Sequence, residues 1–294
     1  MISLAPIRYA NITAEGGGPL KTLEYGRYRL AEREVYQASA YLIDELVTKK
    51  VRTHTKTPVP DGAGTHESVQ IACHMAVSEA IERWVVYDCR ERMEENPGGI
   101  QIDGGSNGFA AFPGLFARQA RRAAFSESIE RHCLMSWWEG LLGHRKMSGL
   151  PDRLEGIQIE NPFSKHDVVL IWRDSEQGRV YAFGAAKDLE GAIWRSRIEF
   201  ERTEALLRAI RKDLDSDGEL GVFESRILYF SSDEGCACFD QRLEKHSKAA
   251  ICELNLLFDC AVRGPWDKFA YVWRTIIKPP SRDYLSNAAD YFFW

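Results

Sequence analysis

The stretch "GGSNGFAAFPGLFARQARRAAFSESIERHCLMSWW", Gly104–Trp138, decides how this sequence is interpreted. A predicted turn rich in Gly, Ser and Asn leads into a predicted helix that carries a Glu-x-x-Glu-Arg motif at Glu127–Arg131. The earlier stretch "DGAGTHESVQIACHMAVSEAIERW", Asp61–Trp84, has the same arrangement and places the motif at Glu79–Arg83. The sequence therefore indicates an internal repeat of a glycine-rich turn followed by a helix.

A third copy appears when "AIWRSRIEFERTE" is aligned on Glu199. Seven residues before the aligned glutamate each copy has alanine, and three residues before it each copy has a small residue. The aligned small residues are Ala72, Ala76, Ala120, Ala124, Ala192 and Ser196. These positions share one helix face, so a second backbone or a ligand can approach it closely.

The register glutamates predict a site built from carboxylates. Its expected metal ligands are Glu79, Glu82, Glu127, Glu130 and Glu199. A single Glu-x-x-Glu-Arg is usually a solvated helix face, but three copies in register favour a cluster. Converging carboxylates repel one another unless a cation lies between them, and all-oxygen ligands favour Mg²⁺, with iron as a weaker alternative.

The glycine-rich turns and the carboxylates together also favour a nucleotide as the ligand. Glycine-rich turns before helices can offer backbone N–H groups to phosphate. Carboxylates, Mg²⁺ and such turns together indicate a nucleoside triphosphate, although the sequence has no Walker motif.

Composition limits the possible classes of protein. The chain has 294 residues, 45% of them hydrophobic, and a formal net charge of −5, which argues against a nucleic-acid-binding surface. No apolar run approaches a membrane span, the start does not read as a signal peptide, and seven Cys is an odd number. We therefore expect a cytoplasmic protein with reduced thiols that binds neither nucleic acid nor membrane.

The pattern of elements predicts an α+β fold in one domain. A short strand or hairpin is expected at 2–20, a hairpin at 168–186, and strands at 100–103, 225–232 and 268–277. Helices are expected at 28–50, 189–212 and 243–262, after the first glycine turn as far as about Met93, and after the second glycine turn. The apolar tail "DYFFW", 290–294, is expected to pack back against the domain near the carboxylates or across a homodimer interface.

Several of these segments resemble the YcaO family. "SNGFAA" followed by "SESIERH" is the most specific likeness, "SEAIERW" resembles the first family helix, and "YAFGAAKDLEGAIWRSRIEFER" resembles the third. "AYVWRTIIKPP" resembles the closing strand of the family. The resemblance covers most of the chain from Asp61 onward.

The resemblance implies a YcaO-like fold of mixed sheets packed with helices, with 1–60 as an N-terminal portion and 61–294 as the motif-bearing core. It implies an ATP- and Mg²⁺-dependent enzyme that phosphorylates a peptide amide oxygen, after which an azoline or a thioamide forms. The implied nucleotide contacts are Ser106, Asn107, Arg83, Arg131 and Arg274. The implied partners are a precursor peptide and a leader-binding or sulfur-transfer protein, in a homodimer or a hetero-complex.

Four departures from the family pattern keep an alternative open. Thr65 and His66 stand where a lysine is usual in the family, and Met75 where a serine is frequent. In the third motif Ala186 replaces a histidine and Arg202 replaces a glutamine. A non-catalytic scaffold or peptide-binding subunit is therefore the second hypothesis, and the sequence identifies neither the product, the substrate nor a general base.

Overall fold

Three antiparallel sheets and three long helices make up most of the structure. The computed structural model describes residues 3–30, 32–47, 60–94, 105–213, 220–245, 254–286 and 288–292. The strands are β1 Leu20–Leu30, β2 Arg33–Leu42, β3 Gly62–His66, β4 Asn107–Phe112, β5 His144–Lys146, β6 Glu155–Ile159, β7 Asp167–Ser175, β8 Gly178–Ala186, β9 Leu256–Ala261 and β10 Tyr271–Ile277. The helices are α1 Ala5–Arg8, α2 Asp44–Val47, α3 Val69–Glu94, α4 Arg118–Trp138, α5 Leu189–Asp213, α6 Val222–Phe230 and α7 Asp233–Glu244.

The sheets have the strand orders β1-β2-β3, β4-β10-β9 and β5-β6-β7-β8. Strands β3, β4 and β8 each lie at the edge of a different sheet and pack on α3, α4 and α5, which follow them in the chain. The predicted α+β class and internal repeat are therefore confirmed, and each repeat is an edge strand followed by a long helix.

The glycine-rich segments are strands and not the turns that the sequence analysis predicted. Glycine is needed there because strand and helix backbones almost touch. A Cβ on Gly108 would lie 1.8 Å from the Ala124 carbonyl oxygen, and one on Gly64 would lie 2.0 Å from the Ala72 carbonyl oxygen. The small residues at the aligned helix positions thus pack against the strand of their own repeat.

The helix predicted at 28–50 is wrong. The segment forms the end of β1, strand β2 and helix α2, with a tight turn at Glu32. In β2 the residues Ala38, Ala40 and Leu42 are buried on one face and Val35 is buried on the other. This alternation is the period of a strand, and pairing with β1 and β3 decides the outcome over local helix propensity.

Other predictions of secondary structure are also corrected. The expected strand at 225–232 belongs to α6, in which Ile227 and Phe230 are buried three residues apart. The expected helix at 243–262 contains the end of α7 and strand β9, which pairs with β10. At the N-terminus the short helix α1 replaces the expected strand, because Pro6 favours a first helical turn. The strand expected at 100–103 lies outside the described residues.

The predictions at 168–186, 189–212 and 268–277 are confirmed by the β7–β8 hairpin, α5 and β10. None of the described helices is long and apolar enough to cross a membrane.

The C-terminal segment packs back against the domain as expected, at the end of α4, while its expected nearness to the carboxylates stays a prediction. Phe292 is 1% exposed and stacks on Trp138 with ring centroids 5.2 Å apart. The Tyr291 hydroxyl donates to Glu139 Oε1 at 2.7 Å, and Tyr284 packs against Gly105, immediately before β4. The last two residues of the tail lie outside the described residues.

Candidate functional site: a carboxylate ring at three sheet edges

Glutamates on the long helices accept hydrogen bonds from the open edges of the sheets. An edge strand has a row of N–H groups that no neighbouring strand accepts. Glu79 Oε2 on α3 accepts the Ala63 N–H of β3 at 3.0 Å, and Glu127 Oε2 on α4 accepts the Phe109 N–H of β4 at 2.9 Å. The first glutamate of each motif thus binds the strand of its own repeat.

The second glutamate of each motif binds the strand of the next repeat. Glu82 Oε1 on α3 accepts the Ala111 N–H of β4 at 2.7 Å. Glu130 Oε2 on α4 accepts the Ala185 N–H of β8 at 2.8 Å. Each Glu-x-x-Glu pair therefore joins two sheets, and the two pairs link the three repeats in series.

The third helix differs at this position. Glu199 Oε1 accepts a hydrogen bond from Arg202 Nη1 at 2.8 Å, and its side chain is 48% exposed. The residue three positions after the register glutamate is thus an arginine on α5, where α3 and α4 carry a glutamate.

The five carboxylates are electrostatically connected. Burial raises the pKa of Glu82 well above its ordinary value, and the charges of Glu127 and Glu79 raise it further. Burial and the neighbouring Glu127 raise the pKa of Glu130 to about 7. The glutamates of α3 and α4 therefore lie close enough for Glu79 and Glu127 to raise the pKa of Glu82, and for Glu127 to raise that of Glu130, while a shared metal site of all five glutamates stays a prediction.

No set of three or more His, Cys, Asp or Glu side chains within the described ranges is arranged to hold a metal ion by itself. Within those ranges no hydrogen bond reaches the second carboxylate oxygens of Glu79, Glu82 and Glu130. The second oxygen of Glu127 is held by Arg131 Nη2 at 2.8 Å. The five glutamates are called the carboxylate ring below. A cation bound there would take one or two carboxylate oxygens from the protein, and its other ligands would be water or oxygens of a bound molecule.

A separate cavity of about 360 Å³ lies between α1, β1 and the start of α3, and its lining includes Tyr9, Tyr25 and His74. None of the five glutamates lines it. The cavity is therefore separate from the site formed by the glutamates.

Comparison with known proteins gives a structural likeness only. No protein-family model and no curated protein matches the chain. Among solved structures, a chain of the E. coli microcin synthetase McbBCD complex with pro-MccB17 bound matches with a TM-score of 0.52 and 12% identity, over 87% of both chains. YcaO from Methanopyrus kandleri bound with AMPPCP and Mg²⁺ matches with a TM-score of 0.45 and 14% identity, over 69% of this chain and 66% of that one.

The chain has a YcaO-like fold. The expectation that rested on "SNGFAA" and the repeated Glu-x-x-Glu motifs is confirmed at the level of the fold. Activity, substrate and cofactors do not follow from a likeness at this identity and belong to the proposals below.

Within this YcaO-like fold the predicted nucleotide contacts have different surroundings. Ser106 is 2% exposed, and its hydroxyl is 2.9 Å from His132 Nδ1. Its carbonyl oxygen accepts the Ile277 N–H at 2.8 Å. The Ser106 side chain thus has a structural partner inside the protein, and its contact with a nucleotide stays a prediction.

Asn107 and Arg274 form a buried pair at the start of β4. Arg274 Nε donates to Asn107 Oδ1 at 3.4 Å, and the guanidinium lies 5.4 Å from the centre of the Phe109 ring. Arg131 is paired with Glu127, as described above, and Arg83 is exposed on α3. Arg83 lies beside the second glutamate of its own helix, since its charge lowers the pKa of Glu82.

Two residues near the ring were not predicted as functional. His132 immediately follows the second motif, and burial lowers its pKa to about 4, so it is neutral near pH 7 and orients Ser106. Arg195 Nη1 donates to the Ala185 carbonyl oxygen at 3.1 Å, and its charge lowers the pKa of Glu130 and of Glu199. Arg195 lies four residues before a register glutamate, and this i,i+4 spacing is the signal that could have identified it.

The raised pKa of Glu130 predicts that the free energy of unfolding depends on pH. Between the ordinary value of 4.5 and about 7 the folded state keeps a proton that the unfolded chain releases. The free energy of unfolding therefore falls as pH rises through this window. Glu130→Gln is expected to reduce that fall while its amide oxygen still accepts the Ala185 N–H. Denaturant titrations across the window test this, with Glu190→Gln, whose side chain is 84% exposed, as the control; an unchanged slope for Glu130→Gln would contradict it.

Proposed function

We propose that this chain is an ATP- and Mg²⁺-dependent enzyme that activates peptide backbone amides by phosphorylating the amide oxygen. The product is an azoline or azole heterocycle or a thioamide in a ribosomally made peptide. The observation that supports the proposal best is the pair of linked Glu-x-x-Glu motifs in a YcaO-like fold, in which the charges of the neighbouring glutamates raise the pKa of Glu82 and of Glu130. Carboxylates held together at such a cost are typical of a site whose function needs them.

The donor set suits Mg²⁺. Mg²⁺ usually keeps several waters and binds through one or two carboxylates plus phosphate oxygens, so it does not need a three-ligand protein cage. Glu79, Glu82 and Glu130 each have one oxygen committed to an amide and another to offer. When bound, Mg²⁺ would neutralise the charge of the transferred phosphoryl group.

The residues of the chain supply positioning and charge. The amide N–H bonds fix the glutamates on rigid helices and strands, so the carboxylates are oriented before a substrate arrives. Asn107, Arg131 and Arg274 lie on β4, α4 and β10, and we expect them to contact phosphate oxygens or hold the glutamates in place. We expect a bound peptide to exclude water from the site and to bring its amide oxygen into position.

A peptide substrate is part of the proposal. The microcin synthetase to which this chain is similar is a complex of several proteins with pro-MccB17 bound. For this chain we propose a precursor peptide as substrate and a partner protein for leader binding or sulfur transfer, in a homodimer or a hetero-complex.

A second function is favoured by a specific observation. Four of the five glutamates already have a structural role, since they accept N–H groups from open sheet edges. A YcaO-like scaffold that stabilises a catalytic partner would need the same four contacts. ATP binding distinguishes the two functions.

We expect ATP with Mg²⁺ to raise the thermal midpoint of the purified protein. A ligand that binds only the folded state at 100 times its Kd stabilises it by about 2.7 kcal/mol. Differential scanning fluorimetry and isothermal titration calorimetry with ATP alone, Mg²⁺ alone and both together measure the effect. Glu82→Gln should lose the shift and Glu190→Gln should keep it. Absence of heat and of a shift with ATP and Mg²⁺ would reject the enzyme and favour the scaffold.

A further inference from the structure

The third repeat breaks the charge pattern of the other two. The position three residues after the register glutamate is Glu82 on α3, Glu130 on α4 and Arg202 on α5. Glu82 and Glu130 each reach the edge strand of the following repeat. Arg202 brings a positive charge to the remaining junction, between α5 and the first sheet.

The packing of α5 places Arg202 at this junction. Ile198 and Trp194 lie four and eight residues before Arg202, on the same helix face. They pack with Leu30 and Val35 on the face of the first sheet opposite to α3. Arg202 continues this row of residues towards Tyr28, and its positive charge acts to lower the pKa of the Tyr28 phenol.

The guanidinium has a carboxylate on one side. Arg202 Nη1 donates to Glu199 Oε1 at 2.8 Å, and the charge of Glu79 also acts on Glu199. Without Arg202, Glu199 and Glu79 would meet as two like charges, as Glu82 and Glu127 do at the first junction.

The same junction has an unused hydrogen-bond donor. Arg202 Nε is buried and has no hydrogen-bond partner among the described residues. An unpaired buried donor is costly, so Arg202 Nε is suited to an acceptor oxygen of a bound group.

A cation with a carboxylate on one side and an oxyanion on the other is what a bridging metal ion provides at a phosphoryl-transfer site. We propose that Arg202 is a built-in cation that takes the place of a divalent metal ion at the junction of α5 and the first sheet. This inference rests on the proposed function, because it assumes that the other junctions bind Mg²⁺ with a nucleotide. It assigns Arg202 as a positioning residue that keeps Glu199 paired and donates to a phosphate oxygen.

The number of bound metal ions tests the proposal. Mn²⁺ titrated in the presence of AMPPCP and followed by electron paramagnetic resonance gives the number of ions per chain. Arg202→Gln should bind one more ion than the unaltered protein, and Arg202→Lys, which keeps the charge, should not. Arg208→Gln, whose guanidinium is 58% exposed and pairs with Glu204, is the control and should leave the number unchanged. Glu199→Gln added to Arg202→Gln should remove the extra ion.

Failure of the inference and failure of the proposed function give different results. An unchanged number in Arg202→Gln, with nucleotide bound, overturns the role of Arg202 and leaves the enzyme intact. If neither the unaltered protein nor any variant binds AMPPCP, the proposed function fails. The role of Arg202 is then tested by titrating Mn²⁺ without nucleotide. Extra Mn²⁺ bound by Arg202→Gln alone then supports it, and equal binding by Arg202→Gln and the unaltered protein overturns it. Circular dichroism checks that each variant is folded.

Discussion

Glu127→Gln is expected to lower turnover roughly 100-fold or more while the protein stays folded. Glu127 interacts electrostatically with the second glutamates of both α3 and α4, because its charge raises the pKa of Glu82 and of Glu130. The glutamine oxygen can still accept the Phe109 N–H that Glu127 Oε2 accepts at 2.9 Å. The substitution therefore removes charge from the centre of the proposed Mg²⁺ site and keeps the cap on the edge of β4.

Turnover would be measured as ADP release that depends on a peptide substrate, and stability by thermal denaturation. Glu190→Gln, which removes an exposed carboxylate from the first turn of α5, is the matched control and should keep full activity. Glu127→Ala should lose both turnover and stability, because the Phe109 N–H loses its acceptor. Activity of Glu127→Gln that falls only in proportion to the folded fraction would make Glu127 purely structural and would favour the scaffold.

Gly108→Ala is expected to destabilise the protein by about 3 kcal/mol or more. A Cβ at this position would lie 1.8 Å from the Ala124 carbonyl oxygen and 2.8 Å from the Ser128 N. These are backbone atoms in the middle of α4, so no side chain can move aside. Strand β4 would have to separate from α4, and the Phe109–Glu127 hydrogen bond would break with it.

Gly26→Ala is the matched control, since a Cβ at Gly26 in β1 meets nothing within 4 Å. It should be neutral or slightly stabilising, because alanine restricts the unfolded chain. Denaturant titration of the two variants compares them directly. Equal stability of Gly108→Ala and Gly26→Ala would contradict the close approach of β4 and α4.

The Glu-x-x-Glu helices and the β7–β8 hairpin could be predicted from the sequence because their signals are local. Aligned alanines and glutamates at helical spacing identify α3, α4 and α5, and alternation around a polar turn identifies β7 and β8. The same spacing predicted that the five glutamates share a site. Both the shared site and its metal binding stay proposals.

The segment 28–50 and the glycine-rich stretches were decided by partners far away in the chain. Apolar residues in 28–50 fit a helix locally, yet β2 pairs with β1 and β3 and is buried on both faces. The glycines looked like phosphate-binding turns, but Gly64 and Gly108 permit contact between an edge strand and a helix. Their neighbours' N–H groups are used by glutamates and are not left for phosphate.

By itself, therefore, the sequence determined three helical repeats with aligned small residues and the carboxylates they carry, because both depend only on the order of residues along one helix. Only the tertiary structure decided what those carboxylates touch. The first glutamate of α3 and of α4 binds its own strand, the second binds the next strand, and Glu199 on α5 pairs with Arg202. Those contacts depend on which sheet edges remain open, and an open edge exists only after strands distant in sequence have paired.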